Sequence, residues 1–142
     1  MQRQERERFL AQLAPQRYAL REYRHEGLVA HALESVSDLK EEGTAMRHCL
    51  RMPFFPGEPR LEQFAEGALR YFSIREAEQG ERVATLEIER GDDAGTWVVG
   101  ECQGPSNQPV TMQVLGFARR LAEAYGAAND PSAGMDARTE AA

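Results

Sequence analysis

The run Gly43-Thr44-Ala45-Met46-Arg47-His48-Cys49 sets an imidazole next to a thiol, the two groups from which a nucleophile and its base are made. Adjacent side chains on a helix point about 100° apart, so His48 is poorly placed to activate Cys49 directly. A working Cys–His pair draws its members from distant segments. The plainer reading makes Cys49 a small buried hydrophobe and His48 a hydrogen-bonded structural residue.

Further candidates lie downstream. The alternation that buries Trp97 and Val99 places Glu101 on their side, where a carboxylate needs His48 or an arginine as partner, unless the strand ends before it. On the opposite face Arg75 and Glu87 can meet across neighbouring strands as an ordinary surface pair. Gln103-Gly104-Pro105-Ser106-Asn107 reads as a turn, with Asn107 capping the last helix. A helix start of this kind also attracts anions. The candidate catalytic set is therefore His48, Cys49, Glu87, Glu101 and Asn107, with Arg75, Gln103 and Gly104 as binding residues. His25, His31, His48, Cys49 and Cys102 show no CxxC or HxxxH spacing, so no metal is expected. Phosphate-binding glycine loops and GxSxG are absent, and no cofactor is expected. Glu41–Glu42 and Asp92–Asp93 read as solvated helix-end and turn carboxylates.

Phe9, Leu10 and Leu13 predict an opening amphipathic helix closed by Pro15. Tyr18, Leu20 and Tyr23 suggest a short strand, whereas Leu28, Val29, Ala32 and Leu33 read as helical. Ser37 is expected to cap a helix that Gly43 ends, with a further helical turn from Thr44 to Leu50. Pro53, Pro56, Gly57 and Pro59 make the next stretch irregular, and Leu61, Phe64, Ala65 and Ala68 form a short helix. Phe72 and Ile74, then Ala84, Leu86 and Ile88, then Trp97 and Val99 alternate at period two. Short polar connections make these three strands an antiparallel meander. Val110, Val114, Phe117, Leu121 and Tyr125 repeat at helical spacing, with Pro109 in the first turn. The expected fold is α+β: N-terminal helices, a three-stranded antiparallel β-meander, and a C-terminal helix packed on the sheet. One domain spans 1–125, and 126–142 reads as a disordered tail.

At 142 residues, 42% hydrophobic and 28% charged, the chain fits one globular domain and neither wholesale disorder nor a disulfide-packed miniature. With no apolar stretch near the roughly 20 residues of a membrane span and no apolar leader, a cytoplasmic protein without membrane contact is expected. Two cysteines are too few for a stapled framework. The net charge of −6 is unevenly spread: residues 1–25 hold six arginines against three glutamates, a local +3, and the rest carries −9. So acidic a body is a poor duplex binder, which confines any nucleic-acid contact to the arginine-rich start. It suits a protein partner with a basic surface, or simple solubility.

The order EEGTAMRHCL, RYFSIRE, RVATLEIE, TWVVGECQGPSN resembles the PcfJ-like family. The matching residues are Glu42, Gly43, Met46, His48 and Cys49, then Ser73, Arg75, Thr85, Leu86 and Glu87, then Gly104 and Asn107. The likeness runs from Leu39 to Asn107 and rests on order and spacing. Glu101 stands where the family usually has glutamine, and Pro53 where a tyrosine is expected. The resemblance implies a protein of bacterial conjugative plasmids and other mobile elements, and it supplies context rather than mechanism. The function expected is an accessory protein of a plasmid or phage that binds a host or element-encoded protein. The alternative is a small Cys/His-dependent hydrolase or transferase with Cys49 as nucleophile.

Overall fold

A computed structural model describes Gln4 and residues 14–47, 58–93 and 95–129. The expected opening helix around Phe9, and the segment holding His48, Cys49 and Pro53, lie outside the described residues.

The chain is α+β, but its sheet has five strands, not three, in the sequential antiparallel order β1-β2-β3-β4-β5. These are β1 (Glu22–His25), β2 (Leu28–Ala32), β3 (Leu69–Glu76), β4 (Arg82–Arg90) and β5 (Trp97–Gln103). The additional pair is a tight hairpin where a helix was expected over Leu28–Leu33. Its two-residue turn, Glu26-Gly27, has φ of 46° and 82°, the double positive φ that matches the twist of a hairpin. Glycine supplies one of those angles freely and Glu26 adopts the other. The apolar run misleads because β2 is covered on both faces: Leu28, Val29 and Ala30 are all buried, and such a strand loses its alternation.

Helix α1 (Val36–Met46) follows. Its cap is Ser35, not Ser37: the Ser35 hydroxyl accepts from the Asp38 N–H at 3.1 Å, and the Asp38 carboxylate accepts from the Glu34 N–H at 3.1 Å. Starting there turns Val36, Leu39, Gly43 and Met46 inward as one buried stripe. Gly43 is thus an interior residue of α1 rather than its end, and Arg47 closes the helix in the left-handed conformation. Helix α2 (Pro59–Ala65) matches the expected short helix and buries Leu61 and Phe64. Helix α3 (Met112–Asn129) begins after Pro109, not around it. Thr111 takes the capping role given to Asn107, its hydroxyl accepting from the Val114 N–H at 3.2 Å. Asn107 instead belongs to a 3-10 turn at Pro105–Asn107. The helix continues to Asn129 and buries Gly126; residues 130–142 lie outside the described set.

The elements form three layers. Phe72, Ile74, Ala84, Leu86, Ile88 and Trp97 meet Val114, Phe117, Ala118, Leu121 and Tyr125 on one side of the sheet, so the expected helix-on-sheet core is present. Tyr125 is its hub, with the rings of Tyr18, Phe72 and Trp97 around it. Its hydroxyl accepts from Arg70 Nε and from the Ala19 N–H, each at 3.2 Å. Helices α1 and α2 cover the other side. Among the described residues, no helix is long and apolar enough to cross a membrane.

Candidate functional site

Two irregularities in the sheet decide which side chains face α1. Between β3 and β4 the register runs Ile74↔Ala84, then Arg75↔Arg82, leaving Val83 as an extra residue. Between β4 and β5 it runs Glu87↔Glu101, then Ile88↔Val99, leaving Gly100 as the extra residue. One inserted residue reverses the alternation beyond it. Arg82 thereby leaves the side of Ala84 and Leu86, and Glu101 leaves the side of Trp97 and Val99. Both join the face made by Tyr71, Ser73, Arg75, Thr85, Glu87 and Gln103, because residues opposite one another in register share a face. The expectation that Glu101 points into the apolar core is thus corrected, and so is the thought that the strand stops before it.

Glycine at the second bulge leaves room for the end of the Glu87 side chain. A Cβ at Gly100 would stand 2.8 Å from Glu87 Oε1 and 3.4 Å from the Glu87 carbonyl oxygen. The missing side chain is the space that the Glu87 carboxylate occupies.

The two buried carboxylates of this face are held very differently. Glu42, on α1, is 1% exposed and fully engaged. Its Oε1 accepts from Arg82 Nε at 2.9 Å and its Oε2 from the Thr85 hydroxyl at 2.5 Å. The reading of Glu42 as a solvated helix-end residue is therefore reversed: it pins α1 to β4, while Glu41 keeps the exposed role, 3.7 Å from the same guanidinium. Glu87 is 8% exposed, yet its Oε2 makes no hydrogen bond.

Burial pushes the Glu87 carboxyl above its ordinary value, and Glu101 and Glu89 add to the shift by repulsion. The Arg60 guanidinium and the neighbouring Tyr71 hydroxyl oppose it. Burial likewise raises the Tyr71 phenol, with the Glu87 charge reinforcing it. A carboxyl whose folded pKa is raised binds its proton more readily in the folded than in the unfolded state. Its contribution to stability is complete below the unfolded value of 4.5 and is lost as pH rises through the folded one. Stability of the wild type relative to Glu87→Gln is thus expected to decline as pH rises above 4.5, and solvent screening moderates the loss. Urea midpoints for both proteins from about pH 4 to pH 8 check this. A constant difference would contradict a carboxyl penalised by burial.

The remaining candidates divide. Glu87 and Glu101 lie directly opposite, and Gln103 opposite Thr85. Arg75 sits across from Arg82, not Glu87, and donates from Nε to the Ser73 hydroxyl at 3.1 Å. The expected Arg75–Glu87 pair does not form, because Tyr71 holds the position opposite Glu87. Gly104 closes the loop, its N–H donating to the Gln108 carbonyl at 2.8 Å. Asn107 is exposed, in the 3-10 turn that lies against α1. Cys102 points to the core side, and burial raises its thiol to about 11, which leaves little thiolate at neutral pH.

Missed from the sequence were Arg60, Tyr71, Arg82 and Gly100. Arg60, at the start of α2, lies 3.8 Å from Glu101 Oε1. A single charge beside the buried Leu61 of a short helix carries no sequence signal for such a role. Arg82 and Gly100 were hidden by the bulges themselves. Of the residues carrying the resemblance, however, Glu42, Ser73, Arg75, Thr85 and Glu87 all fall on this one face.

Comparison with known proteins gives one finding: the family model described as PcfJ-like protein matches residues 1–113. No curated protein matches, and no solved structure does.

Proposed function

Since this chain belongs to the PcfJ-like family, we propose that it is an accessory protein of a bacterial mobile element, plasmid or phage, acting by binding a protein of the host or of the element. The observation that carries the reading is Glu87: a carboxylate buried to 8% exposure with one oxygen unpartnered, beside the half-exposed Glu101. Native proteins pair their buried polar groups, and a group left unpaired is poorly suited to stabilise the chain by itself. It suits completion by a donor from outside. The acidic body of the chain, −9 beyond residue 25, favours a partner with a basic surface through complementary potential.

Immobilised full-length protein is expected to retain one partner in near-equal amount from lysate of cells carrying the element, and Glu101→Arg to lose it. If the charge reversal retains the same proteins, or if an unrelated acidic protein does, the reading is wrong.

The second reading, a Cys/His-dependent hydrolase or transferase, draws on one feature. Helix α1 packs against β4 and beside the turn that holds Asn107, and the chain leaves it at Arg47, one residue before His48 and Cys49. That chemistry needs the Cys49 thiol near Glu87 or Asn107. Cys49 lies outside the described residues; the binding reading stands first on the unpartnered Glu87 carboxylate.

A further inference from the structure

We propose that Glu87 and Glu101 form a subsite for a guanidinium group, the head of an arginine side chain presented by a partner protein. The inference rests on the binding reading above and names the chemistry of the contact.

Three observations converge on it. First, Glu87 Oε2 is buried and accepts no hydrogen bond, whereas the comparably buried Glu42 has both oxygens occupied. The same face therefore contains one finished carboxylate and one unfinished one. Second, the place is shaped around Glu87: Gly100 leaves the volume where a Cβ would meet Oε1 at 2.8 Å. Directly opposite Glu87 stands Glu101, whose side chain is 42% exposed on β5, the last strand of the sheet. Third, like charges gather around Glu87: Glu101 and Glu89 both repel its carboxylate, and the Arg60 guanidinium opposes them. Arg60 stands 3.8 Å from Glu101 Oε1, beyond hydrogen-bond distance. Its side chain is 46% exposed, and it stays in place as a third member of the cluster.

A guanidinium fits this geometry better than an ammonium. Its planar fork presents five N–H donors and can bridge two carboxylates at once, and it is less strongly hydrated, so it enters a half-buried position more readily. Its approach lowers the penalty that burial places on ionised Glu87, which makes binding and deprotonation of Glu87 mutually favourable.

The probe is Nα-acetyl-arginine amide, titrated into the full-length protein at neutral pH while the backbone amide signals of Glu87, Gly100 and Glu101 are followed by NMR. Saturable shifts of these signals are expected at millimolar concentration. Nα-acetyl-citrulline amide, of nearly the same shape but neutral, is expected to produce none. Glu101→Gln changes an exposed residue and keeps the fold; it is expected to weaken binding severalfold, and Glu87→Gln at least tenfold. Equal shifts with citrulline amide, undiminished binding in both variants, or no saturable shift with arginine amide would each overturn the proposal. Saturable shifts of the same signals by magnesium chloride alone would also overturn it, by making the place a metal site. Failure here together with a charge-sensitive partner capture would retain the binding function and move the contact elsewhere.

Discussion

Arg82→Ala is expected to lower the unfolding free energy by about 3–5 kcal/mol, the range for a buried ion pair that loses one member. Domains of this size have only about 5–15 kcal/mol to lose. The asymmetry within the pair makes the prediction specific. Arg82 is 29% exposed at its side chain and Glu42 not at all. Without Glu42, the guanidinium can turn to water and to Glu41, 3.7 Å away. Without Arg82, the Glu42 carboxylate keeps only the Thr85 hydroxyl and cannot reach solvent. Glu42→Gln should therefore cost less, about 1–3 kcal/mol for a weakened buried hydrogen bond. The double variant should be more stable than Arg82→Ala alone, since it no longer buries a lone charge. Urea denaturation of the four proteins of this cycle checks it. Equal losses for the two single variants would show that the pair is merely a surface contact.

Ending the chain at Gln113, where the family match stops, is expected to abolish cooperative folding. The cut removes Val114, Phe117, Leu121 and Tyr125, all buried against the sheet. At about 1.5–3 kcal/mol for each large side chain, their loss is comparable to the whole net stability. It also exposes Phe72, Ile74, Leu86 and Ile88 together, an apolar surface prone to association. Removing the Tyr125 hydroxyl takes an acceptor from Arg70, a buried guanidinium that stacks 4.7 Å from the centre of the Tyr18 ring. Far-UV circular dichroism and thermal unfolding of the truncated chain decide the matter. A sigmoidal transition near that of the intact protein would refute the role given to α3.

The pieces legible in the sequence were those whose apolar residues keep one period across the core, the bulges lying outside those runs. Strands β3, β4 and β5 and helix α3 each pack one apolar face, and the residues expected in their shared core are there. The β1–β2 hairpin was half legible, Tyr23 of the expected short strand lying in β1 while β2 read as helical, for two physical reasons. Its turn uses Glu26 at positive φ where Asn or Asp is usual, and β2 is buried on both faces, so its apolar residues run together. The start of α1 was displaced by two residues because two serines compete for the cap, and only burial of Val36 and Leu39 decides between them. The face of the candidate site was obscured most. A rule of alternation sorts side chains correctly until one residue is inserted, and the insertions at Val83 and Gly100 invert the placement of Arg82 and Glu101. Glu87 was identified from the resemblance and its strand position, but its lack of a second partner is a property of packing that no spacing encodes.

The helices are divided across the sheet: α3 seals one side and contributes nothing to the acidic cluster on the other, which α1 and α2 cover. Changes in the closing helix can thus tune how long the molecule survives without touching the acidic cluster. If that cluster is the contact proposed above, changes among Arg60, Gly100 and Glu101 would alter binding while the apolar half stays as it is. The five-stranded sheet then acts as a partition between durability and selectivity.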